Sequence, residues 1–141
     1  MPLESADTIG IKMMMSKGMM EDEVLRGCLE YLRIHGVFAW RNNTGAVKIG
    51  KRFIRYGTPG SSDILGILPD GRFLAVECKR EKGGRLSELQ KAFLTAIEIN
   101  GGVSIVARSV EELKKELENA KNNFTNNKIG YTVELEDNIK K

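Results

Sequence analysis

Two carboxylates and an ammonium stand close together in the pattern of this chain: Asp63, then Glu77 and Lys79 either side of Cys78. In a strand successive side chains alternate, so Glu77 and Lys79 face one way and Cys78 the other. A hairpin joining the segments of Asp63 and Glu77 would set all three at one sheet edge. Paired carboxylates repel and drive one pKa up unless a cation sits between them. Oxygen donors of this kind, joined by the Cys78 backbone carbonyl, suit Mg²⁺ or Mn²⁺ rather than zinc. Such an ion acidifies water and offsets charge on a transferring phosphoryl group, while Lys79 would orient the nucleophile or help deprotonate it. A Glu-X-Lys triplet alone is more often a surface ion pair. Here the apolar run Phe73–Val76 leads straight into it, and burial beside charge marks a site.

The elements that must position these groups follow from periodicity. Val24, Leu25, Cys28, Leu29 and Leu32 make one face of a first helix over Met20–His35, stopped by Gly36. Val37–Arg41 and Lys51–Tyr56 read as strands, with Asn42–Gly45 as a turn between them. Ser62–Leu68 and Arg72–Lys79 form a hairpin about Pro69-Asp70-Gly71. A second helix carries Leu86, Leu89, Gln90, Phe93, Leu94 and Ile97 on one face and ends at Gly101-Gly102. Val103–Ala107 is a buried strand, and Ser109-Val110-Glu111-Glu112 opens a third helix with capping-box spacing. Together these elements make one α/β domain over 19–121. Residues 1–18 read as a flexible arm and 122–141 as a tail with one strand at Tyr131–Leu135.

Helical phase offers more site residues. Glu21 shares the inward stripe with Val24 and Leu25, whereas Glu23 faces away, so Glu21 is the better third carboxylate. Gln90 is an amide on an apolar face and needs a partner, either in packing or through water, Lys79 or phosphate. Arg41, Lys48, Lys51, Arg52 and Arg55 precede the motif, and Arg80, Lys82 and Arg85 follow it. Phosphate neutralisation is the preferred use for these, and a solvated basic face the plain one. Core packing is the plainer role for Trp40 and Tyr56, with base stacking as the alternative. His35 ends a helix and suits its dipole.

Composition sets wide bounds. Apolar residues at 41% and charged residues at 29% place the chain among ordinary globular domains, and a net charge of +3 permits a polyanionic partner without requiring one. Cys28 and Cys78 lack metal-ligand spacing and read as buried free thiols in a reducing, cytoplasmic setting. No apolar run reaches the length of a membrane span, and the N-terminus lacks a secretory pattern.

The motifs together resemble the PD-(D/E)XK nuclease superfamily, and more closely its VRR-NUC branch, the virus-type replication-repair nucleases. The likeness runs from about Glu21 to Leu113. It rests on Glu21-Asp22-Glu23-Val24, Arg41-Asn42-Asn43-Thr44-Gly45, Gly57-Thr58-Pro59-Gly60-Ser61-Ser62-Asp63-Ile64-Leu65-Gly66, Gly71-Arg72, Glu77-Cys78-Lys79 and Gly84-Arg85-Leu86-Ser87-Glu88-Leu89-Gln90. The resemblance implies a restriction-endonuclease-like α-β-β-β-α-β core with a central mixed sheet flanked by helices. It also implies Mg²⁺ or Mn²⁺ dependence and hydrolysis of branched, junction or flap DNA in replication, repair or recombination of phage or bacterial DNA. By position, Asp63, Glu77 and the Cys78 carbonyl would hold the metal with Glu21, Lys79 would be the catalytic lysine, and Gln90 the polar residue of the following helix. Ser62 stands where the superfamily pattern has Pro. Compact members resemble Holliday-junction resolvases, which implies a homodimer with a site for each of two strands. The competing expectation is a DNA-binding module that keeps the fold without cutting.

Overall fold

A computed structural model describes residues 20–139 of the chain, so the expected arm at 1–18 lies outside the described residues. The elements in order are α1 (Glu21–Ile34), β1 (Phe38–Arg41), β2 (Gly45–Ile49), β3 (Arg52–Tyr56), β4 (Ile64–Ile67), β5 (Phe73–Cys78), α2 (Glu88–Ile99), β6 (Val103–Ala107) and α3 (Val110–Ile139). Four strands form a sheet in the order β1-β4-β5-β6, while β2 and β3 form a separate two-stranded ribbon. Strands β1, β4 and β5 pair antiparallel, and β6 joins β5 in parallel after the α2 crossover. The expected mixed sheet flanked by helices is what the chain adopts.

Period-2 alternation divides the sheet into two faces. One presents Ile64, Leu74, Val76, Cys78, Ile105 and Ala107 to Val24, Leu25, Cys28 and Leu32 of α1 and to Leu113 of α3, and this is the buried core. The run Leu74-Ala75-Val76 is fully buried, as its composition demands. The opposite face is covered by α2 only above β5 and β6. Phe38, Trp40 and Ile67, on the β1–β4 half, therefore stay exposed, with the Phe38 and Trp40 rings 5.5 Å apart.

The structure departs from the sequence expectations at several points. Gly45–Ile49 is a strand, and the tight turn falls at Gly50, not at Asn42–Gly45. A short strand that opens on glycine and faces no core carries little period-2 signal. Trp40 and Tyr56 are exposed and not in the core, because nothing among the described residues covers the β1–β4 face or the ribbon. Tyr131–Leu135 lies within α3 and not in a strand. Both cysteines are buried and free, and His35 caps α1, its Nδ1 2.9 Å from the Tyr31 carbonyl. No helix among the described residues is long and apolar enough to cross a membrane.

Candidate active site

Asp63 lies immediately before β4 and Glu77 near the end of β5, one register step beyond the Ile64–Val76 pair. The hairpin thus sets the two carboxylates opposite each other at one end of the sheet. Asp63 Oδ2 accepts from the Cys78 backbone N–H at 2.7 Å, which locks the carboxylate across the strand pair. From the other side, Asn42 holds the same loop. Its backbone N–H donates to the Asp63 carbonyl at 2.8 Å, and its Nδ2 donates to Ser61 Oγ at 2.7 Å and the Ser62 carbonyl at 3.0 Å.

Helix α2 brings Gln90 over the end of β5. Ser87 is its N-cap and forms a reciprocal box with Gln90, accepting from the Gln90 N–H at 3.1 Å and donating its own N–H to Gln90 Oε1 at 2.9 Å. The same Oε1 accepts from Lys79 Nζ at 3.1 Å, while Gln90 Nε2 donates to Glu77 Oε1 at 2.9 Å. The amide can sit only this way round. Both the Ser87 N–H and the Lys79 ammonium are donors without acceptor capacity, so they require the oxygen. A glutamate would cap the helix as well but would offer Glu77 no donor.

Glu77 is 2% exposed, and Lys79 Nζ stands 3.8 Å from its Oε1. Burial pushes its carboxyl up to about 8, and the neighbouring Asp63 carboxyl adds to the rise. Lys79 opposes the shift and Glu21 adds to it. Glu77 Oε2 is buried and has no hydrogen-bond partner. A buried carboxylate oxygen with no donor, beside a second carboxylate, is what a hard cation would satisfy. Asp63 and Glu77 therefore offer a pair of oxygen donors that fits a divalent ion. No three His, Cys, Asp or Glu side chains among the described residues gather closely enough to hold one by themselves.

Glu21 is accordingly not brought into the cluster. It is exposed in the first turn of α1, one residue after the N-cap Met20, and Glu23 is the more buried of the two, against expectation. Its influence on Glu77 is through charge alone. Leu89, expected on the inner face of α2, is also exposed.

Arg41, Lys48, Lys51, Arg52, Arg55, Arg80, Lys82 and Arg85 are all exposed, on the strands and loops that flank the site. Arg41 approaches Asp22 only at 3.9 Å and in solvent, which contributes little. Arg108, absent from the expected site residues, donates to the carbonyls of Arg80, Gly83 and Gly84 and so ties the loop after the motif to the end of β6. No local pattern announces such a tie. Asn42 was legible only as part of a motif. A separate, largely apolar cleft of about 410 Å³, lined by Tyr31, Leu68, Pro69, Arg72 and Phe124 among others, lies at the far end of β4 and β5, away from this chemistry.

The geometry is that of a carboxylate pair with a positioned lysine, set in a half-covered mixed sheet. A comparison with curated proteins finds no match. The family model of the VRR-NUC domain matches residues 20–111, a span that holds Asp63, Glu77, Lys79 and Gln90 together with every strand and the first two helices. The chain belongs to the VRR-NUC family of restriction-endonuclease-like nucleases that act on DNA.

Proposed function

We propose that the protein is a Mg²⁺- or Mn²⁺-dependent endonuclease that hydrolyses phosphodiester bonds in branched DNA, a junction or a flap. The observation that carries this is Glu77 Oε2, buried without a donor beside Asp63 while Gln90 and Lys79 occupy the other oxygen. Asp63 and Glu77, with the Cys78 carbonyl, would hold the ion, which when bound supplies positive charge beside the transferring phosphoryl group and acidifies water. Lys79, held by Gln90 and by Glu77, presents its ammonium where it can orient the attacking water and offset charge on the phosphate. Gln90 keeps both charged groups in register. The exposed basic side chains on either side neutralise flanking phosphates.

A homodimer is part of this reading. Phe38, Trp40 and Ile67 on the open half of the sheet, with Val47, Ile49, Ile54 and Tyr56 on the ribbon, are exposed apolar side chains of the sort that a second copy would cover. Two sites related by a two-fold axis suit a substrate with two strands to cut. Two buried free thiols support a reducing cytoplasm as the setting. Labelled junction, flap and duplex DNA incubated in Mg²⁺, Mn²⁺ or EDTA tests the proposal. Cutting that needs metal and disappears in Asp63→Ala and Lys79→Ala is expected; tight binding with no cutting in either metal would sink it.

A further inference from the structure

The ribbon β2–β3 sets an unusual problem. A two-stranded hairpin is marginal in water unless something packs on it, yet all of its strand residues are exposed. Its register sorts the side chains by face. Gly45, Val47, Ile49, Arg52, Ile54 and Tyr56 share one face, and Ala46, Lys48, Phe53 and Arg55 the other. On the second face Phe53 is 73% exposed, directly opposite Lys48 and two residues from Arg55. Lys51 stands at the tip. A naked aromatic ring among cations is a poor surface for water and a good one for an unstacked base between phosphates.

The roots of the ribbon give that ring a position relative to the chemistry. The incoming strand leaves Asn42, which is hydrogen-bonded to the Asp63 backbone and to Ser61 and Ser62. The outgoing strand returns through Gly57–Ser62 to Asp63 itself. At the usual rise per residue, Phe53 stands about 10 Å out from the root at Tyr56, the length of roughly three stacked base steps.

From these features we infer that Phe53 is a stacking residue for a splayed base at a DNA branch point, with Lys48 and Arg55 holding the phosphates on either side. This rests on the proposal that branched DNA is the substrate, and it adds how the branch is recognised. In unbranched duplex every base is already stacked, so Phe53 has nothing to receive. The ring contributes only where strand pairing is interrupted, a few nucleotides from the bond held at Asp63 and Glu77. The apolar face of the ribbon is left for the second copy.

The test is binding of the full chain in EDTA to a forked DNA with 2-aminopurine at the branch, and to a duplex with the same base paired. The wild-type protein is expected to change the fluorescence of the fork and leave that of the duplex unaltered. Phe53→Leu, which keeps apolar bulk, loses the signal and binds the fork at least about five-fold more weakly, with duplex affinity little changed. Phe53→Trp retains both. The inference is overturned if Phe53→Leu matches wild type on the fork, if it weakens fork and duplex equally, or if it sediments as a smaller species, which would make Phe53 a subunit contact. Cleavage assays on the same DNAs separate the two readings. A chain that never cuts but gives the Phe53-dependent signal removes the nuclease reading alone; one that cuts the fork with no such signal removes this one alone.

Discussion

Gln90 and Glu77, from a helix and a strand, meet through a single 2.9 Å hydrogen bond whose polarity is dictated by what holds the other end of the amide. Because Lys79 and the Ser87 N–H both occupy Oε1, Gln90 links helix capping to the charge state of the site. Gln90→Ala is expected to loosen Lys79 and remove the hydrogen bond that Glu77 accepts. Cutting should slow by one to two orders of magnitude, on the order of 2 kcal/mol, mainly through the maximal rate. Gln90→Glu should be the worse variant at limiting metal, because it keeps the cap but adds a carboxylate beside Glu77. Rates measured across metal and DNA concentrations separate this from a loss of DNA binding, which should be unaffected.

Glu77 also makes the metal-free fold sensitive to pH. Its carboxyl is raised from the ordinary 4.5 to about 8, chiefly by burial and by Asp63. Between those values the folded chain keeps a proton that the unfolded chain has released. The stability linked to this group is therefore fully present below about pH 4.5 and falls as pH rises toward 8, by at most about 1.4 kcal/mol per pH unit. Denaturation midpoints in EDTA should decline over this window in wild type and stay flatter in Glu77→Gln. Mg²⁺ should restore stability most at the alkaline end, where the carboxylate pair is ionised. A midpoint in EDTA that climbs with pH through this range would contradict the burial argument.

Much of this site was legible because its logic is local. Alternation alone puts Glu77 and Lys79 on one side, and the Pro69-Asp70-Gly71 hairpin brings Asp63 to them. Gln90 stands out as an amide in an apolar stripe. What the pattern misses depends on partners distant in sequence or absent from the chain. Trp40 reads as a core residue because a sheet face is normally covered, and here α2 reaches only β5 and β6. Leu89 reads as inward, yet its side chain stays exposed beside the Gly60 loop. Glu21 has the right phase, but a stripe has no inside before the first residue that packs.

Gly60 is where that close approach can be tested. It has φ +77°, and a Cβ there would come within 2.5 Å of the Leu89 backbone carbonyl. Backbone cannot swing aside as a side-chain tip does, so Gly60→Ala must part the loop before Asp63 from the helix that carries Gln90. Gly71 has φ +92° but nothing within 4 Å of the added carbon. Gly71→Ala should cost only the left-handed strain, about 1–2 kcal/mol, and leave cutting intact. Gly60→Ala should cost more than that and reduce cutting as well. Denaturant titration alongside cleavage rates reads both; equal losses for the two variants would remove the packing argument.

Arg108 predicts a defect of a different kind, because it hydrogen-bonds none of Asp63, Glu77, Lys79 and Gln90. Its guanidinium donates to the carbonyls of Arg80, Gly83 and Gly84. Those bonds hold a loop that bears Arg80 and Lys82 and leads to Arg85, on the approach to the site. Arg108→Ala should cost only about 1 kcal/mol of global stability, since the loop is largely exposed and water replaces part of what is lost. The effect should instead appear as local opening, with trypsin cutting after Arg80 and Lys82 several times faster than in wild type. DNA affinity should fall a few-fold at low salt, and the catalytic rate at saturating DNA should be retained. Arg108→Lys should not rescue, because one ammonium cannot span three carbonyls as a planar fork does. If the lysine variant restored protease resistance, charge at this position and not the geometry of the fork would be what holds the loop.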